Sequence, residues 1–218
     1  MRLFSLDNRL MLCASFVRQG CTLADIGTDH AYLPVWLIKN NVISKAIACD
    51  INEGPLKAGK ADVEKHGLCD KITLRLSDGL ENVSSHECDD IVIAGMGGEL
   101  IARIIANCNW AKDTKKHFIL QPMTKPEVLL QFLYENGFEI LAQKACTSDK
   151  KHYTVMLVSY SGVVKSFGAA DLYLGKLDTS DDNSKLYLSH TLSHLEKRAI
   201  KNPDLHDVIT KIKGVIGL

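Results

Sequence analysis

With 218 residues the chain is long enough for one full α/β domain and a small appendage, which excludes a large multidomain machine. Apolar residues make up 46% and charged residues 24%, enough to bury a sizeable core and unlike a disordered or fibrous chain. The 26 basic residues balance 26 acidic ones, so the whole-molecule field provides no counterion-release affinity, and any RNA partner requires a local basic patch.

From Ser5 as N-cap, Leu6, Leu10, Cys13, Ala14 and Val17 recur at helical spacing and predict a first amphipathic helix ended by Gly20. The apolar run Thr22–Ile26 follows as a strand, broken by Gly27. Residues 31–39 read as helix, 45–49 as a buried strand and 53–66 as a helix stopped by Gly67. Strands at 72–76 and 91–94, a helix at 99–107 and a strand at 117–120 continue the alternation. Thr124 with Glu127 has the spacing of a capping box, and the helix it opens closes at Gly137. Regular alternation predicts a mostly parallel, doubly wound sheet, because parallel neighbours need long crossovers and helices supply them. The loop between 139–144 and 153–160 is too short for such a crossover, so these last strands are expected to pair antiparallel.

Beyond residue 160 the pattern changes. Gly162, Gly168, Gly175 and the polar run 179–184 separate the α/β part from a tail. There Leu188, Leu192, Leu195 and Ala199 predict one helix, Asn202 and Pro203 break it, and Val208, Ile209, Ile212 and Val215 predict a second. His190 and His194 lie four apart but lack a third ligand, so no metal is expected. The seven cysteines form no CxxC pair and read as reduced thiols of a cytoplasmic protein. Asp7, Asn8 and Arg9 follow Arg2 too early for a signal peptide, and no stretch reaches membrane-spanning length.

The chemistry-bearing residues fall at expected strand ends, where open α/β sheets bind ligands. Asp25, Gly27, Thr28, Asp29 and His30 follow the first strand. Asp50 ends the second, placed to accept ribose hydroxyls, and Asp78 follows the third, where an adenine amino group would lie. Gly95, Gly97 and Gly98 follow the fourth; three glycines in four positions cost chain entropy and suggest close approach of a ligand. Gln121, Pro122 and Met123 complete the rim after the fifth. An acid at Asp29 breaks the GxGxxG fingerprint and would repel a pyrophosphate but not a cation; it is alternatively an N-cap for the amides of residues 31 or 32. Three basic clusters are available for RNA: Lys112, Lys115, Lys116 and His117; Lys144, Lys150, Lys151 and His152; and Lys197, Arg198 and Lys201. Arg9, beside the expected pocket, is a further phosphate candidate.

The segments ADIGTDHAYLP (24–34), ACDIN (48–52), SDGL (77–80), DIVIAGMGGELI (90–101) and ILQPM (119–123) resemble the bacterial tRNA (adenine-22-N1)-methyltransferase family. The resemblance implies a Rossmann-like class I methyltransferase sheet, mostly parallel with an antiparallel last strand, plus a C-terminal α-helical hairpin. It implies S-adenosylmethionine as methyl donor and tRNA as partner, with residues 1–160 as catalytic domain and 161–218 as linker and helical hairpin, expected to contact tRNA. The resemblance implies a catalytic role for Asp29; an anionic group near the donor pocket suits the charge argument, and His30 and Tyr32 beside it are candidates as positioning or stacking groups. Asp25, Gly27, Thr28, Asp50, Ile51, Asp78, Gly79, Gly95, Met96 and Gly97 are donor-binding candidates, and Arg9, Gly98, Gln121, Pro122, Lys150 and Lys151 substrate-binding ones. Adenine N1 has a free lone pair, so methylation there needs alignment and stabilisation of a growing positive charge rather than a general base. The expected state is a monomer with no membrane partner. The alternatives are methylation of another RNA base or a small molecule, or a non-catalytic donor-responsive RNA-binding protein.

Overall fold

In the computed structural model, which describes residues 3–218 and leaves Met1 and Arg2 outside, the alternation resolves into one seven-stranded sheet. Its strands are β1 (Thr22–Ile26), β2 (Lys45–Asp50), β3 (Ile72–Leu76), β4 (Asp90–Gly97), β5 (His117–Thr124), β6 (Phe138–Ser148) and β7 (Lys151–Tyr160). The order is β3-β2-β1-β4-β5-β7-β6, with β1 to β5 parallel and β7 antiparallel to both neighbours. Strand order reverses between β1 and β4, so the crevice at a doubly wound sheet's switch point opens above the Gly27 turn and the Gly95–Gly98 stretch.

Helices α1 (Asn8–Phe16), α2 (Tyr32–Lys39) and α3 (Glu53–Lys65) cover one face, burying Cys13, Leu37 and Val63 with Leu23, Ala48 and Val92 of the sheet. Helices α4 (Gly98–Asn107) and α5 (Pro126–Glu135) cover the other, where Ile101, Ile105, Leu129 and Leu133 meet Ile26, Ile93 and Leu120. A short α6 (Asp171–Leu174) leads into the hairpin of α7 (Asp182–Ala199) and α8 (Leu205–Ile216). Leu188, Leu192, Leu195, Val208 and Ile212 form its core, and Ala145 of β6 joins them. Each such side chain contributes roughly 1.5–3 kcal/mol on burial, and this packing, more than helix propensity, holds the two helices.

Four details differ from the sequence reading. Asp7, not Ser5, caps α1, its Oδ1 accepting from Leu10 N at 2.7 Å. The capping box at Thr124 does not form: Thr124 stays in β5 opposite Gly97, Lys125 turns at φ 52°, and Pro126 starts α5 with a φ already helical. Strands β4 and β5 run on to Gly97 and Thr124 because each supplies the other's partner, with register shifts around Met96; the glycines are therefore an irregular strand end rather than a loop. Finally, β6 and β7 are joined by only Asp149 and Lys150, both at positive φ (48° and 61°), the geometry of a type I′ hairpin turn.

Candidate active site at the strand ends

The turn after β1 is fixed by backbone before any side chain acts. Gly27 N and Thr28 N both donate to Cys49 O of β2, each at 2.8 Å. These amides are thereby spent and offer no cradle for a phosphate, unlike the free amides of a dinucleotide loop. Gly27 sits at φ 77°, and a Cβ there would run into the half-buried Met96 side chain. Beneath the turn Asp25 is 8% exposed. Burial pushes its carboxyl up to about 6, against the pull of the Thr28 hydroxyl and the Arg9 guanidinium. The Thr28 hydroxyl is buried close enough to Asp25 to lower its pKa, yet Oγ1 completes no hydrogen bond of good geometry with it.

Asp29 is not a helix cap. The position before α2 is Ala31, in the left-handed region at φ 53°, and no side chain caps the helix. The Asp29 carboxylate stands in solvent at 81% side-chain exposure, 3.8 Å from His30 Nε2. His30 stacks on Tyr32, ring centroids 4.9 Å apart and planes within 6°, and its Nδ1 lies 3.5 Å from Asp62 Oδ2 of α3. Phe4 closes on the other side of Tyr32 at 4.8 Å. The three catalytic candidates therefore stand together, and Asp62 and Phe4 join them. Sequence reasoning missed both, because an acid on a helix face and an aromatic before the first helix carry no motif. The left-handed backbone at Ala31 carried no signal either, since a residue with a Cβ is disfavoured at positive φ.

The remaining acids line up along the neighbouring strands. Asp50 Oδ1 accepts from Asn52 N at 2.8 Å, and Ile51 beside it is 58% exposed, an apolar face at a ligand end. Ser77 N donates to Asp50 O at 2.9 Å, and the Ser77 hydroxyl donates to Gly79 O, so exposed Asp78 is presented on a tied turn next to Asp50. Gly79, at φ 56°, is buried against Ile104, which is a packing reason for glycine.

The glycines after β4 divide in role. Gly95 (φ 81°) is exposed, and its amide donates to Gln121 Oε1 at 3.0 Å. Gly97 leaves Thr124 Oγ1 3.1 Å from where a Cβ would be. Gly98 is buried, and a Cβ there would strike the Lys125 carbonyl, so close packing rather than ligand approach requires this glycine. Gln121 is fully buried and also accepts from Arg9 Nη1 at 2.8 Å. Arg9 is thus a strut spanning α1 and β5, its side chain 18% exposed, and not the outward phosphate contact expected of it. Pro122, buried, follows at the edge of the site.

Of the basic clusters, the first lies at the wrong end. It precedes β5, opposite the strand carboxyl ends, and Lys116 is buried with Nζ donating to Ser85 O and Cys88 O. Burial holds the His117 imidazole below its ordinary pKa. Lys150 and Lys151 are exposed at the β6–β7 tip, which extends past the end of β5. Arg198 reaches Glu127 at the start of α5, 3.7 Å away, placing the third cluster on the same side. Among the described residues no group of three or more His, Cys, Asp or Glu has a metal-holding arrangement, and all seven cysteines are free. Among them, too, no helix is long and apolar enough to cross a membrane. The rim of carboxylates suits a cationic ligand carrying a ribose, and the basic flank beside it suits a polyanion.

Comparison with known proteins extends these observations. A family model described as a methyltransferase domain matches residues 6–156. The tRNA (adenine(22)-N(1))-methyltransferase of Bacillus subtilis (strain 168) is 37% identical over 170 residues, 75% of this chain and 71% of the relative. Streptococcus pneumoniae Sp1610, solved in complex with S-adenosyl-L-methionine, superposes with a TM-score of 0.86 at 34% identity, covering 97% of this chain and 100% of that one. The B. subtilis m1A22 tRNA methyltransferase TrmK gives 0.85 at 30% identity, over 99% and 100% of the two chains.

Proposed function

Because this chain belongs to the tRNA (adenine(22)-N(1))-methyltransferase family of class I methyltransferases, we propose that it transfers the methyl group of S-adenosylmethionine to N1 of adenine 22 in tRNA. The observation that carries the reading is Asp29: an exposed carboxylate at the β1 turn, free of any capping duty, flanked by a stacked His30–Tyr32 pair.

The residues present fit the donor. Thr28 Oγ1 is a buried polar atom awaiting a partner, and Asp25 is a carboxyl kept under the turn at a cost in desolvation. Asp50 holds the ribose hydroxyls with the oxygen that Asn52 leaves free, Asp78 takes the adenine amino group, and Ile51 packs on the purine. Arg9 faces the donor's carboxylate from α1. Bound there, the donor supplies a methyl group carried on a cationic sulfonium.

The protein's own part is alignment and charge. Tyr32 and His30 offer flat surfaces against which the target adenine is held, and Asp62 fixes the His30 ring. Asp29 accepts from the exocyclic amine, a contact that strengthens as the ring becomes cationic. Lys150, Lys151 and Arg198 hold phosphates of the tRNA on the flank, and the helical hairpin extends that surface. Seven free cysteines suit work in the cytoplasm, where thiols stay reduced. The test is methylation of bulk tRNA by purified protein with labelled donor, followed by mass spectrometric mapping. Label at N1 of adenine 22 is expected; label elsewhere, or none while donor binding persists, overturns the assignment.

A further inference from the structure

A second concavity opens beside the strand-end site. It begins at Pro122 and Met123, immediately after Gln121, and runs between the start of α5, β7 and the face of α7 turned toward β7, with a volume of about 370 Å³. That is the size of a small-ligand cleft, for which roughly 300–1,000 Å³ is usual. His152 and Tyr153 of β7 form one wall and His190, His194 and Arg198 of α7 the other. The imidazoles touch one another: His152 and His190 have centroids 5.6 Å apart, His190 and His194 4.5 Å in an edge-to-face arrangement. His190 Nε2 and His194 Nε2 are 3.3 Å apart, which requires a donor and an acceptor and therefore at least one neutral ring. Burial first, then His194, His152 and Lys197, hold the His190 imidazole below its ordinary pKa, consistent with a neutral, stackable His190 ring at pH 7. Among the described residues lining the groove the one carboxylate is Glu127, already beside Arg198.

Adenine N1 lies on the base's pairing edge, so the target must be unpaired and withdrawn from its stack before the methyl can reach it. Its neighbour in the chain then loses a stacking partner. We propose that this groove binds that neighbour: the unstacked base lies flat on one imidazole of the edge-to-face His190–His194 pair and edge-on to the other, beside Tyr153, and Arg198 takes its phosphate. The proposal rests on the reading of the chain as a tRNA methyltransferase and adds a second nucleotide subsite to it. Position carries the assignment: Pro122 at the groove's mouth pairs with Met96, whose side chain lies against Gly27 of the target-site turn, and the groove walls offer flat rings and a cation rather than an acid rim.

His190 and His194 are exposed on α7, so the double variant H190A/H194A of the full chain should keep the fold. Transcripts of tRNA carrying 2-aminopurine on the 5′ or the 3′ side of the target adenine report stacking by fluorescence quenching. One of the two should be quenched by wild-type protein and not by H190A/H194A. The variant should lose about tenfold or more in kcat/KM for tRNA, the loss expected of one stacked base, with unchanged affinity for S-adenosylhomocysteine and unchanged Tm. H190F/H194F, which keeps flat rings, should restore quenching and most of the rate. Equal quenching and equal kcat/KM in H190A/H194A overturns the subsite, as does a loss that phenylalanine fails to restore. Wild-type protein that leaves tRNA unmethylated overturns the functional reading beneath it instead.

Discussion

The two halves of the functional end differ in how they are built. Over β1 to β3 the side chains are acids, Asp25, Asp29, Asp50 and Asp78, on turns tied by backbone hydrogen bonds between neighbouring strands. Over β5 to β7 and α7 they are Lys150, Lys151, His152, His190 and Arg198, on a hairpin tip and a helix side. A formal net charge of zero conceals this segregation. The difference teaches that neutrality describes the sum and not the field: one end of one sheet presents an anionic pocket to a cationic donor and a cationic flank to a polyanion. In the function proposed above, tasks also separate by rigidity, with reaction geometry on tied turns and substrate grip on surface elements.

If the acid half does the chemistry, its largest signature is at Asp29. Asp29→Ala should lower the single-turnover methyl-transfer rate about a hundred- to a thousandfold while binding of donor and tRNA changes little, since the contact matters most as the adenine becomes cationic. Asp29→Asn separates charge from shape. Because Asp29 caps nothing, neither variant should change Tm. A wild-type rate in Asp29→Ala would return this residue to the status of a turn.

The seam between the halves should answer differently. Gly98→Val places a side chain against the Lys125 carbonyl and Leu129, and overpacking of this kind costs about 1–3 kcal/mol or more. A lowered Tm and poor folding are expected, against the pure binding defect that a ligand-approach glycine would give. Donor titration and thermal melting of the same variant decide between them.

Asp25 tests what the acid half costs the fold. Its folded carboxyl titrates at about 6, above the ordinary 3.8, because it is buried. Between those values the folded protein keeps a proton that the unfolded chain has released, so stability falls as pH rises through that window and stays lowered above it. Asp25→Asn should therefore gain stability at pH 7, up to about 3 kcal/mol, and little near pH 4, while weakening donor binding. Melting curves of both proteins at the two pH values measure this; a stability difference independent of pH would place the carboxylate outside that linkage.

The acid half was more legible in the sequence than its partner. Alternating apolar runs and strand-end acids are local signals, and β1 to β5 put Asp25, Asp29, Asp50 and Asp78 on one end, as spacing predicted. What the sequence hid depends on contacts far along the chain. Gly98 looked like a ligand glycine until Lys125, 27 positions on, was seen to pack against it. Lys116 looked like part of an RNA patch, yet its ammonium is spent on Ser85 and Cys88 carbonyls. Arg9 looked outward and is tied to Gln121. The meeting of His152 with His190 required the hairpin to fold back along β7, which no periodicity announces.

The basic half should show the smallest effects per residue and the most telling pattern. Lys150, in the two-residue turn, and Lys151, the first residue of β7, are both exposed, so replacing either with alanine leaves the fold alone. If each neutralises one phosphate, log Kd for tRNA plotted against log salt should lose about one unit of slope per lysine, with affinity falling evenly across tRNA sequences. Lys112→Ala and Lys115→Ala, at the opposite end of the sheet, should leave that slope unchanged despite removing the same charge. Because net charge changes equally in all four variants, a slope that falls in all of them would mean that the whole-molecule field, and not the segregated flank, holds the RNA.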